Sequence, residues 1–134
     1  MKGAHYMGVI IATHGKLCEG LVDSIELITG STSDVSKFSM TKEKSETEAR
    51  KEIDELLEKY KEDSKLVVFT DVMGGSVCNI FTEKLINQGG FELIAGVNLP
   101  MILSYIVQDS DKIESCVSDG LDGIVHVNKK LYRE

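Results

Sequence analysis

The sequence predicts an α/β fold: a three-layer sandwich around a mainly parallel sheet, with strand order 2-1-3-4. Three observations carry this prediction. The runs Val9 to Ala12 and Leu66 to Phe69 are continuously apolar and rich in β-branched residues, as strands covered on both faces are. Each run stops abruptly at a polar residue, His14 after the first and Asp71 after the second, and a helical pattern follows. The alternation of strand and helix then continues, which calls for parallel strands joined by right-handed crossovers.

Taken in order, the first strand spans Met7 to His14. Leu17, Leu21, Val22, Ile25 and Ile28 follow at helical spacing, and Gly30 is placed to end that helix. Val35 to Met40 mixes apolar and polar residues as a half-exposed strand near a sheet edge would. Ser45 with Glu48 three residues later is a capping box, and Ala49, Ile53, Leu56, Leu57 and Tyr60 trace one apolar stripe. The charges between 42 and 65 fall between the stripe positions, so they belong to a solvated helix face.

The third strand ends at Asp71, and Gly74-Gly75-Ser76 follows. Ser76 is expected to cap a helix carrying Val77, Ile80, Phe81 and Leu85, which Gly89-Gly90 ends. Phe91 to Val97 is the fourth strand candidate. Asn98-Leu99-Pro100 opens a further helix through Tyr105 and Ile106, with Pro in its first turn. Residues 111 to 121 are expected to form a short helix, and Gly123 to Val127 a last strand.

A chain of 134 residues with 42% hydrophobic content is the size of one ordinary domain, so residues 1–134 are expected to form a single domain. The net charge of −7 disfavours nucleic acid and anionic membranes as partners and favours a basic or neutral protein. Neither a signal peptide nor a membrane span is visible, and a cytoplasmic location is expected. The three cysteines, Cys18, Cys78 and Cys116, form no C-x-x-C pair and no zinc set, so reduced thiols and no metal are expected.

With order 2-1-3-4, connections leave strands 1 and 3 in opposite directions, and such a switch point is where open α/β sheets bind ligands. His14 and Asp71 then end adjacent strands about 4.8 Å apart, within reach of a side-chain hydrogen bond. A carboxylate on Nδ1 fixes the tautomer and leaves the Nε2 lone pair free. Gly74 and Gly75 let backbone close in, and the helix N-termini near Lys16 and Ser76 form an anion cradle. An oriented nucleophile beside such a cradle suits phosphoryl transfer to histidine. No Walker lysine motif, kinase signature or obvious metal cluster appears and no cofactor is expected, so the phosphoryl group is expected to come from another protein instead of from nucleotide.

Three segments, Ala12-Thr13-His14-Gly15, Asp71 to Asn79 (Asp-Val-Met-Gly-Gly-Ser-Val-Cys-Asn) and Gly96-Val97-Asn98-Leu99-Pro100-Met101, together resemble the enzyme IIA component of the mannose family of the sugar phosphotransferase system (PTS). The resemblance covers essentially the whole chain. It implies that His14 accepts phosphate from the phosphocarrier HPr and passes it to a IIB component, with the membrane IIC and IID components involved only indirectly. It implies that Asp71 hydrogen-bonds the histidine, that Ser76 is the serine of the glycine turn beside it, and that Asn98 lies near the site; Gly15, Gly74, Gly75, Ser76 and Asn98 are the residues expected to bind the phosphate. It also implies a homodimer in which a C-terminal strand is exchanged between subunits. The chain departs from the family at Val77, where proline is usual after Gly-Gly-Ser. It also ends after one domain, so its IIB acceptor is expected to be a separate polypeptide. Three alternatives remain at this level. One is the phosphohistidine subunit of a dihydroxyacetone kinase system, another is a thiol enzyme using Cys18 or Cys78 near a helix N-terminus, and the third is a purely regulatory module whose phosphorylation state alters binding to a transcription factor without onward transfer.

Overall fold

In the computed structural model, residues 7–31, 35–63, 65–107 and 113–132 are described. The chain divides into two compact units, Met1–Val97 and Asn98–Glu134.

The first unit holds strands β1 (Met7–His14), β2 (Val35–Met40), β3 (Lys65–Thr70) and β4 (Glu92–Ala95), with helices α1 (Leu17–Thr29), α2 (Glu46–Lys59) and α3 (Ser76–Gln88). The strands form one all-parallel sheet in the order β2-β1-β3-β4, as expected from the sequence. Its alternation of faces follows from the period of two along a strand. Ile10 and Ala12 of β1, Phe38 of β2 and Leu66 and Val68 of β3 point to one face, where Ala49, Ile53 and Leu57 of α2 and Val77, Ile80 and Phe81 of α3 cover them. On the opposite face, α1 packs on β1 and β2 through buried Cys18 and Ile25. Helix, sheet and helix make the three layers. Ile10, Val68 and Phe81 are fully buried, and each stabilises the fold by about 2 kcal/mol.

The helix ends agree with the local chemistry. Ser45 Oγ accepts the Glu48 N–H at 3.1 Å while Glu48 accepts the Ser45 N–H at 2.8 Å, which is the capping box. Gly30 closes α1 in the left-handed region, at φ 86°, and its N–H reaches Glu26 O at 2.7 Å. At the other end of α1 the cap position is Lys16, whose side chain accepts nothing; the buried Thr13 Oγ1 accepts the Cys18 N–H at 2.8 Å instead. A residue inside β1 thus caps the helix that follows it, and the turn carrying His14 is fixed at both sides.

The second unit holds α4 (Leu99–Val107), α5 (Ile113–Asp122) and α6 (Val127–Leu131). Helices α4 and α5 are tied by Ser104 Oγ donating to Asp119 Oδ2 at 2.5 Å. Gly120 permits close packing, since a Cβ there would lie 2.8 Å from Met101 Cε. The strand expected over Gly123 to Val127 is not formed: residues 124–126 are coil and Val127 opens α6. A strand needs a neighbouring edge for its N–H and C=O groups, and the described residues of this unit include no strand to supply one. Ile124, Val125, Val127, Leu131 and Tyr132 are all exposed. Among the described residues, no helix is long and apolar enough to cross a membrane.

Candidate functional site

The carboxyl ends of β1 and β3 bring His14 and Asp71 together. Asp71 Oδ2 accepts two hydrogen bonds from His14, from the backbone N–H at 2.9 Å and from ring Nδ1 at 3.0 Å. Its other oxygen accepts the Val72 N–H at 3.0 Å. Burial opposes ionisation of this carboxyl, but the hydrogen bonds and charge of His14 outweigh it and hold Asp71 below its ordinary pKa. An ionised Asp71 can only accept, so Nδ1 carries a proton, and in the neutral ring the lone pair lies on Nε2. The histidine side chain is 46% exposed and that of Asp71 only 11%, so the carboxylate is covered while the ring remains open to solvent.

Ser76 does not cap α3 as expected. Gly75 takes the cap position at φ −76° and ψ 165°, with no side chain to offer, and Ser76 becomes the first helical residue. Its hydroxyl is thereby released toward the ring and lies 3.3 Å from His14 Nε2, to which it can donate. The glycine is needed for a steric reason: a Cβ at Gly75 would sit 2.9 Å from His14 Cε1. Gly74 makes the preceding turn at φ 87°, and Asn79 Nδ2 holds its carbonyl at 3.3 Å. Because Gly75 has no capping side chain, the first N–H groups of α3 and the positive end of its dipole are left for a ligand near Nε2. Val77, the departure from the usual proline, is the second helical residue, and its fully buried side chain belongs to the core.

Gly15 follows His14 at φ 60°, and its N–H donates to Met40 O at 2.8 Å. Ser39 Oγ donates to Gly15 O at 2.8 Å and lies 3.2 Å from Cys18 Sγ. Sequence reasoning missed Thr13 and Ser39 as the residues that hold this turn. The available signal was a hydroxyl residue next to the last position of each strand, Thr13 in β1 and Ser39 in β2.

Asn98 is engaged within the second unit. Its Oδ1 accepts the Met101 N–H at 3.0 Å and its Nδ2 donates to Gly120 O at 2.9 Å, so it caps α4 and ties it to α5. The cysteines are free and buried: Cys18 is fully covered, Cys78 Sγ lies 3.9 Å from Thr82 Oγ1, and burial pushes the Cys116 thiol up. Nothing in that environment presents a thiol to a substrate.

Fold and site together define a parallel α/β protein with a carboxylate-oriented histidine at the switch point of its sheet. The profile of the family described as "PTS system fructose IIA component" matches residues 8–119, and the chain belongs to that family. It is 27% identical, over 92% of its length, to the "PTS system mannose-specific EIIAB component" of Escherichia coli (strain K12), and spans 40% of that relative. Among solved structures it is similar to the PTS IIA protein associated with the fucose utilization operon of Streptococcus pneumoniae. There the TM-score is 0.86 at 22% identity, with 93% of this chain and 96% of that one covered. The mannose/sorbose-specific IIA subunit of Enterococcus faecalis is similar with a TM-score of 0.78 at 21% identity, covering 88% and 92%. These two likenesses concern the fold.

Proposed function

We propose that this protein is a phosphoryl carrier: His14 Nε2 accepts the phosphoryl group of phosphorylated HPr and passes it to a IIB component for sugar uptake. The observation that carries this reading is the pairing of Nδ1 with Asp71, which leaves Nε2 exposed beside Ser76 and the α3 N-terminus. The Nε2 lone pair forms the new bond to phosphorus as the bond to the donor nitrogen breaks, and the donor imidazole leaves with that electron pair. No proton has to move, because the proton stays on Nδ1, hydrogen-bonded to Asp71, throughout. Ser76, whose hydrogen bond to the lone pair is then lost, can donate to a phosphoryl oxygen, as can the N–H groups of the first turn of α3. Leu17, Val72 and Met73 expose apolar side chains on the segments flanking His14, Asp71 and the glycine turn, which suits docking of a protein. The test is incubation with enzyme I, HPr and phosphoenolpyruvate, followed by mapping of the phosphorylated residue. Phosphate on Nε2 of His14 is the expected result, and phosphate on any other residue would refute it.

Gly75→Ala is a sharper local probe. The backbone angles at Gly75 suit alanine, so only the collision of the new Cβ with the imidazole matters. The ring must rotate away from Asp71, and transfer is expected to slow about tenfold while the melting temperature stays close to wild type. An unchanged rate would show that the ring position observed here is not the reactive one.

The exposed apolar residues of the segment from Ile124 to Tyr132 support a homodimer in which this segment is covered by a second subunit. Deletion of residues 122–134 is expected to give a monomer or insoluble protein. A full-length chain that sediments as a monomer at micromolar concentration would remove the dimer from the account.

A further inference from the structure

A groove of about 280 Å³ opens beside the site within the first unit, lined by Met40, Glu46, Arg50, Ser76, Asn79, Ile80 and Glu83. It starts at the histidine: Ser76 lies 3.3 Å from Nε2, and Met40 is the residue paired with His14 across β1 and β2. Ser76, Asn79, Ile80 and Glu83 stand at i, i+3, i+4 and i+7 on α3, so one helix face forms a wall running away from the histidine. Met40 and Ile80 supply apolar floor. Arg50 of α2 donates through Nε to Glu46 Oε2 at 2.9 Å and through its terminal nitrogens to Glu83 at 2.9 and 3.4 Å. Two carboxylates against one guanidinium leave the groove with a net negative charge. Both carboxylates are half-exposed or more, and the chain around them carries −7.

We propose that this groove receives a basic side chain of the protein that donates the phosphoryl group. The inference rests on the phosphoryl-carrier reading. A donor must bring a multiply charged phosphoryl group to a histidine backed by ionised Asp71 on an acidic protein, and that approach is repulsive unless positive charge arrives with it. Glu83 lies two helical turns beyond Ser76, about 10 Å along the axis, inside the footprint of any protein seated on His14. An anionic occupant is disfavoured because Arg50 is already matched by both carboxylates. A cation is favoured because it would share Glu46 or Glu83 and neutralise the remaining charge.

The test uses the full chain and phosphorylated HPr, with initial rates of His14 phosphorylation measured across a salt series. Glu83→Gln and Arg50→Gln break the same ion pair, so a merely structural bridge predicts the same direction of change for both. The docking role predicts opposite directions. Glu83→Gln should raise KM about fivefold at low salt and flatten its salt dependence, whereas Arg50→Gln, which makes the groove more negative, should lower KM and steepen it. Glu46→Gln leaves the bridge between α2 and α3 intact and should shift KM in the direction of Glu83→Gln, which covers the case of a Glu83 variant that folds poorly. Parallel changes in the Glu83 and Arg50 variants, or no change in either, would overturn the groove while leaving the carrier reading in place. A wild-type chain that HPr does not phosphorylate would remove both.

Discussion

His14→Ala is expected to abolish phosphorylation by the HPr system entirely. The imidazole, held by Asp71 through Nδ1, presents Nε2 beside Ser76 at the α3 N-terminus, and alanine offers no substitute nucleophile. The variant should fold normally, because the ring is 46% exposed and contributes little to the core. Its loss removes the ring donor to Asp71 while the backbone N–H of residue 14 stays in place, so a small drop in melting temperature is expected alongside the complete loss of labelling. His5 and His126 provide the internal control. If the His14→Ala chain still takes up stoichiometric phosphate, the acceptor has been misassigned.

The central strands and their order were legible because burial on both faces leaves an unambiguous signature. Val9 to Ala12 and Leu66 to Phe69 have no polar positions to confuse a strand with an exposed helix, and they end where the chemistry begins. The pairing of His14 with Asp71 followed from that order alone. Ser76 was legible as a residue of the site but not in its role. A serine after Gly-Gly reads as a cap, yet Gly75 adopts the extended cap geometry itself and moves Ser76 one position into the helix. That one-residue shift turns its hydroxyl from its own backbone to His14.

The segment after Gly123 was misread for a different reason. Alternating apolar residues state that a strand could form, but pairing depends on an edge that the sequence of this segment does not encode. Asn98 shows a third kind of ambiguity. An amide beside a helix start serves equally as a ligand to an anion or as a cap, and the hydrogen bonds to Met101 and Gly120 are those of a cap. Thr13 and Ser39 escaped notice because their work is done on backbone groups of the turn and not on a substrate.

Asp71→Asn is expected to slow phosphoryl transfer in both half-reactions by at least about tenfold, or roughly 1.4 kcal/mol of barrier, with the fold retained. The aspartate accepts from Nδ1 and from the His14 N–H through one oxygen. Asparagine keeps the size but presents either a carbonyl or an NH₂ group, and the NH₂ group toward the ring would favour the tautomer with its proton on Nε2. That proton occupies the lone pair required for attack. The negative charge is lost as well, so positive charge that develops on the ring during transfer is less well stabilised. The pH dependence has a definite sign. A carboxyl held below its ordinary pKa adds stability above that ordinary value and loses it as pH falls through the depressed one, so this contribution is fully present near neutrality. A fall in rate between pH 8 and pH 5 therefore does not arise from protonation of Asp71, and the Asn variant should show the lower rate throughout that range. Phosphorus NMR of the phosphorylated chain separates the two ring positions. Phosphate on Nδ1, or an Asp71→Asn chain with unchanged rates of both charging and discharge, would show that the carboxylate does not orient the nucleophile.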